Sequence, residues 1–138
     1  MRKLMVGLLI MILLAGCNSA LTFTEVDMNR ANKDVKEFMN AVQDENGTHL
    51  FHDSERNMYV YLNSGNVIQG SKVAHFSGFN VKANGDTLNI IFHHESTEDY
   101  SNPDFNYQML YKVKLNKTYD KIMLFDNDEE TAFHTIYN

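Results

Sequence analysis

Val73-Ala74-His75-Phe76-Ser77-Gly78-Phe79-Asn80-Val81-Lys82 and Thr87-Leu88-Asn89-Ile90-Ile91-Phe92-His93-His94-Glu95 are two apolar runs joined by Ala83-Asn84-Gly85-Asp86. Asn-Gly between two alternating runs is the strongest short-range hairpin signal, because a tight two-residue turn needs positive φ. With Asn84 and Gly85 as the loop residues, Ala83 faces Asp86 and the register is fixed. Val81 then faces Leu88, Phe79 faces Ile90, Ser77 faces Phe92, and His75 faces His94.

On either side of this hairpin the period of two continues. His49 to His52 and Met58 to Asn63 read as short strands around the polar turn Asp53-Ser54-Glu55-Arg56. Asn63-Ser64-Gly65-Asn66 and Gly70-Ser71 are breaks. Beyond a loop holding Pro103, the residues Phe105, Tyr107, Met109, Tyr111, Val113 and Leu115 give one apolar face. Ile122 to Asp126 and Thr131 to Tyr137 complete the set, split by the acidic turn Asp126-Asn127-Asp128-Glu129-Glu130.

Ahead of the strands the period is helical. Val35, Phe38, Met39 and Val42 fall at i, i+3, i+4 and i+7, with Met28 and Ala31 extending the stripe backward. Asp27 or Asn29 is placed to cap the helix and Gly47 to end it. Asn32, Lys33, Lys36, Glu37 and Asn40 form its wet face. One helix followed by a run of strands predicts an α+β fold, with an N-terminal amphipathic helix packed on a mainly antiparallel, curved β-sheet of short strands. Residues 26–138 form a single domain on this reading.

Arg2 and Lys3 precede an uncharged apolar run from Leu4 to Ala15, which is shorter than the roughly 20 residues a spanning helix needs. A basic start, a short apolar stretch and small residues at its end make a secretory signal. Leu14-Ala15-Gly16-Cys17 closes that run and resembles the lipobox of bacterial lipoproteins. The resemblance implies a signal peptide over residues 1–16, cleavage before Cys17, and a diacylglyceryl group on the Cys17 thiol. Residues 17–25 then form the lipidated cysteine and a short tether. The implied localisation is the extracytoplasmic face of the cell membrane, and Cys17 is the only cysteine in the chain. Two acyl chains suffice for stable anchoring, at about 0.8 kcal/mol per buried methylene.

The 138 residues are 43% hydrophobic, 22% charged and 12% aromatic, which suits one globular domain. Seven glycines exclude a collagen-like chain, and a lone cysteine excludes a disulfide scaffold. The net charge is −6. Loss of Arg2 and Lys3 with the signal peptide makes it −8. No nucleic-acid partner is expected, since phosphate binding draws its affinity from basic patches.

Signatures of chemistry are few. The sequence has no G-x-S-x-G, no G-x-G-x-x-G and no P-loop. His94-Glu95-Ser96-Thr97-Glu98 approaches the zinc-protease motif, but Glu98 stands where the second histidine belongs, and the segment ends a strand rather than lying on a helix. His75 and His94, cross-strand neighbours in the expected register, are the candidate metal pair. They lack obvious further ligands, so the pair reads as a polar rim; no tight zinc site and no cofactor are expected. Asp126, Asp128 and Glu130 lack the EF-hand glycine and read as a solvated turn.

Tyr59 and Tyr61 share one face of their strand, opposite Met58, Val60 and Leu62. Tyrosine is enriched at interfaces, and an exposed sheet face or edge near Tyr59 and Tyr61 is the expected contact surface. The function expected is that of a membrane-anchored binding module for an envelope protein, peptide or other envelope component. The alternatives are a cell-envelope enzyme without a recognisable motif and a histidine-based metal-handling module.

Overall fold

The computed structural model describes residues 20–138, and the lipobox with Cys17 lies outside them. The strands are β1 (Thr22–Glu25), β2 (Gly47–His52), β3 (Asn57–Asn63), β4 (Val73–Asn84), β5 (Thr87–Thr97), β6 (Gln108–Lys114), β7 (Lys121–Asp126), β8 (Glu129–Thr131) and β9 (Thr135–Tyr137). A 3-10 turn (Met28–Arg30) and one α-helix, α1 (Lys33–Val42), complete the elements.

The strands form two sheets. One has the order β1-β6-β3-β2-β9 and the other β4-β5-β7-β8. Each is mixed: β9 runs parallel to β2, and β7 parallel to β5. The two sheets enclose the main core, which includes Leu50, Met58, Val60, Leu62 and Val113 from the first and Val81, Leu88, Ile90, Phe92 and Leu124 from the second. The helix covers the other face of the first sheet, where Val35, Phe38, Met39 and Val42 meet Tyr59, Tyr61 and Leu110.

This arrangement overturns the expected α+β fold. Half of the described residues (50%) lie in strands and 11% in helix, and a second sheet, not solvent, covers the face opposite the helix. Strand β3 explains the error. Its residues from Met58 to Asn63 are all buried. It is a central strand covered on both faces, of the kind that reads as an almost continuous apolar run. Its periodicity therefore points to neither covering layer.

The helical stripe folds as its spacing predicts, with Val35, Phe38, Met39 and Val42 buried. The N-cap is Asn32, whose side chain accepts from the Val35 amide at 2.9 Å, while Asp27 caps the separate 3-10 turn. At the other end, buried Asn63 reaches from β3 to the last carbonyls, its Nδ2 donating to Gln43 at 3.1 Å and Glu45 at 3.0 Å. The helix therefore ends at Val42, before Gly47. Gly47 instead opens β2 at φ +134°, where an added Cβ would lie 2.8 Å from Cβ of His134.

Thr22–Glu25, read from the sequence as part of a tether, belongs to the domain. Thr22–Glu25 pairs with β6 as an edge strand whose four residues are all exposed, so its composition imitates a linker.

Candidate functional site

The inward stripe of β5 runs Leu88, Ile90, Phe92 and then His94. The first three lie in the inter-sheet core, and His94 continues their face at its open end. Strand β7 lies alongside in parallel, with Leu124 opposite Ile90 and Asp126 opposite Phe92. That register brings Asp126 to His94: Nδ1 lies 2.5 Å from Oδ1. The two side chains are 27% and 30% exposed, enough burial to strengthen the contact and enough opening to admit a ligand.

The turn from β7 to β8 fixes this pair. Asn127 and Asp128 both have positive φ, +50° and +68°, the requirement of a two-residue I′ hairpin. The Asn127 side chain accepts from the His94 amide at 2.9 Å and donates to the His94 carbonyl at 3.0 Å. Its own amide donates to the Phe92 carbonyl at 3.0 Å. Asp128 meets His93 on the outer face at 3.5 Å. The acidic turn is therefore docked on β5 rather than merely solvated.

His94 and Asp126 line a cleft of about 670 Å³ between the sheets. Phe76, Phe92 and Phe133 supply apolar wall, and Lys72, Thr48 and His134 supply polar groups. The segment from Ser64 to Lys72 borders it. Asn66 is held by reciprocal hydrogen bonds with Asn46, and the Tyr100 hydroxyl donates to the Ser71 carbonyl. Between these attachments Ile68 stands 74% exposed at the cleft.

The expected His75–His94 pair does not form. The turn residues are Gly85 and Asp86, not Asn84 and Gly85, so Asn84 pairs with Thr87 and Val81 with Ile90. Only Gly85 has positive φ, which places glycine first in the turn as a II′ hairpin requires. The register then shifts between Phe76 and Gly78, leaving Ser77 as an extra residue. His75 comes opposite Glu95, at 3.7 Å, and stacks on Phe105 with ring centroids 4.0 Å apart. His94 points to the other face of the sheet. Among the described residues, no three His, Cys, Asp or Glu side chains are grouped to hold a metal ion.

Tyr59 and Tyr61 are not a contact surface. They are 6% and 3% exposed and lie under the helix. Burial raises the pKa of both phenols. His49 lies on the same helix-facing side, opposite Tyr61, and is fully buried. Its Nε2 lies 2.9 Å from the Glu45 carbonyl. Burial lowers its pKa, against the raising effect of that carbonyl. A neutral ring donating from Nε2 fits this position.

Sequence reasoning missed Asp126 as the partner of His94, because parallel pairing between β5 and β7 leaves no local signature. The available signal was Asp126-Asn127-Asp128-Glu129 itself, whose Asn-Asp centre is hairpin chemistry.

Comparison with protein families, curated proteins and solved structures found no match. Among the described residues no helix is long and apolar enough to cross a membrane.

Proposed function

We propose that this chain is a small extracytoplasmic lipoprotein, held on the cell membrane by a diacylglyceryl group on Cys17, and that it works as a binding module through the cleft between its sheets. The anchor rests on Leu4 to Cys17, where a basic start, an uncharged apolar run and the lipobox follow in order. The binding reading rests on one observation: the His94–Asp126 pair sits in a mixed cleft of about 670 Å³, within the size range of ligand sites. Such sites combine an apolar lining with a few fixed polar groups.

The same cleft supports binding better than hydrolysis. A His–Asp pair activates a nucleophile only if one lies within hydrogen-bond reach. Ser64 lines the cleft, but its hydroxyl donates to the backbone carbonyls of Ala74 and Tyr107 and serves to join the strands.

Detergent partitioning tests the anchor. Wild type is expected in the detergent phase and Cys17→Ala in the aqueous phase or as an uncut precursor; equal partitioning into detergent overturns it. For the cleft, the full chain in detergent is used to capture components of a solubilised envelope. Ala132→Trp, which places an indole in the lining, is expected to release what the wild type retains. Capture that ignores Ala132→Trp overturns the cleft as the binding surface.

A further inference from the structure

The chemistry of the cleft lining narrows the ligand, on the reading that the cleft is a binding site. The contact between His94 Nδ1 and the Asp126 carboxylate assigns the ring proton to Nδ1. In the neutral ring this leaves Nε2 with a lone pair, and Nε2 has no hydrogen-bond partner among the described residues. In that tautomer the group that meets Nε2 donates a proton, as a hydroxyl does. Asp126 acts here through the ring, and Asn127 holds the backbone that carries it.

The rest of the lining says what surrounds that donor. Thr48, Ser71 and Thr131 line the same space, and a hydroxyl both donates and accepts. Besides its imidazoles the lining carries one ammonium, Lys72, and one carboxylate, Asp126. Asp126 is already met by His94 and Lys72 is exposed, so neither charge calls for an opposite charge on the ligand. A neutral ligand therefore leaves no charge of the lining unmet. Phe76, Phe92 and Phe133 add apolar ring surface for C–H groups. A molecule that is neutral, rich in hydroxyls and lined with C–H faces is a sugar.

We infer that the inter-sheet cleft takes a short neutral glycan, with one sugar hydroxyl donating to Nε2 of His94, whose tautomer Asp126 sets. His94 is then a ligand-contacting residue and Asp126 a positioning residue.

The test uses the full chain in detergent micelles, titrated separately with short oligomers of N-acetylglucosamine and of glucose. Calorimetry and amide NMR are expected to show saturable binding of one series, with shifts at the cleft. His94→Phe should weaken that binding about tenfold, the loss of one buried hydrogen bond. His94→Gln, which offers an acceptor again, should recover part of it. The nitrogen spectrum of His94 should show an unprotonated Nε2 that shifts when sugar is added, and Asp126→Asn should abolish the Nδ1–H signature.

Failure of both series to bind overturns the inference, as does binding indifferent to His94→Phe. Succinate and a trilysine peptide serve as charged probes under the same conditions. If either binds in the cleft and Ala132→Trp abolishes it, while neither sugar binds, the cleft reading stands and the glycan is wrong. If no probe moves a cleft resonance, both are wrong.

Discussion

Two histidines mark two regions that use the same residue for opposite ends. His49 lies on the helix-facing side of the first sheet, is fully buried, and turns its Nε2 to the Glu45 carbonyl in the turn that follows α1. His94 lies at the mouth of the inter-sheet core, partly open, and is held by a carboxylate and an asparagine clamp. A backbone partner and complete burial make His49 part of the packing. A carboxylate partner and a free ring nitrogen make His94 available to something outside the chain. The difference lies in surroundings, not in residue type or in strand pattern.

The contrast implies that the region around His49 carries stability and the region around His94 does not. The largest expected effect is from Tyr61→Ala, on the strand face beneath the helix. Loss of a buried aromatic costs about 3–5 kcal/mol, and Tyr61 is 3% exposed. Denaturant unfolding should show a large drop in midpoint, and addition of Tyr59→Ala should unfold the chain under native conditions. A midpoint unchanged by Tyr61→Ala would mean that the helix does not cover this face.

Asn63→Ala comes next. It removes the donor to Gln43 and Glu45 and the acceptor for the Gly65 amide and the Gln108 side chain. The Gln43 and Glu45 carbonyls keep Asn66 and His49 as partners, so the cost is that of the lost hydrogen bonds themselves, about 0.5–1.5 kcal/mol each. Hydrogen exchange should quicken first in the last turn of α1. In contrast, His94→Phe should alter the unfolding midpoint by no more than about 1 kcal/mol, since both its partners remain near solvent. A loss from His94→Phe as large as that from Asn63→Ala would erase the distinction between the regions.

The smallest effect is in pH dependence. Burial lowers the pKa of His49, and of His52, below the ordinary 6.5. The unfolded chain then binds more protons than the folded one as pH falls below about 6.5. Stability from these rings is fully present above that value and is lost as pH drops toward the lowered folded value. Melting temperature should fall on acidification through this window, and His49→Phe should flatten the curve. An unchanged slope would show that His49 is not held neutral.

How much of this was legible in the sequence depended on distance along the chain. The α1 stripe from Val35 to Val42 and the β4–β5 hairpin are local patterns, and both formed. The hairpin register failed on two local facts that composition does not encode: Gly85 stands first rather than second in its turn, and Ser77 bulges. The two sheets failed for another reason. Met58, Val60 and Leu62 alternate with Tyr59 and Tyr61, and a pattern of apolar residues on both faces does not say which layer covers which. The His94–Asp126 pair required the parallel register of β5 and β7, whose chains are joined through β6 in the other sheet. Thr22–Glu25 was misread because an exposed edge strand and a tether have the same composition.

Strand β1 has a consequence for orientation. Thr22 pairs with Lys114, which pairs with Asn57, so the chain enters the first sheet at that end. The cleft is bounded by Gly47 and Asn63, and Asn63 pairs with Gln108 at the opposite end of the same strands. The distance from Lys114 to Gln108 along β6 is about 20 Å at roughly 3.4 Å per residue. The anchor proposed at Cys17 would therefore join the chain at the Thr22 end, and the mouth of the cleft lies at the other end of the same strands. With that anchor the cleft and the lipid would be about a strand's length apart, so a ligand of the cleft would be met on the side away from the attachment.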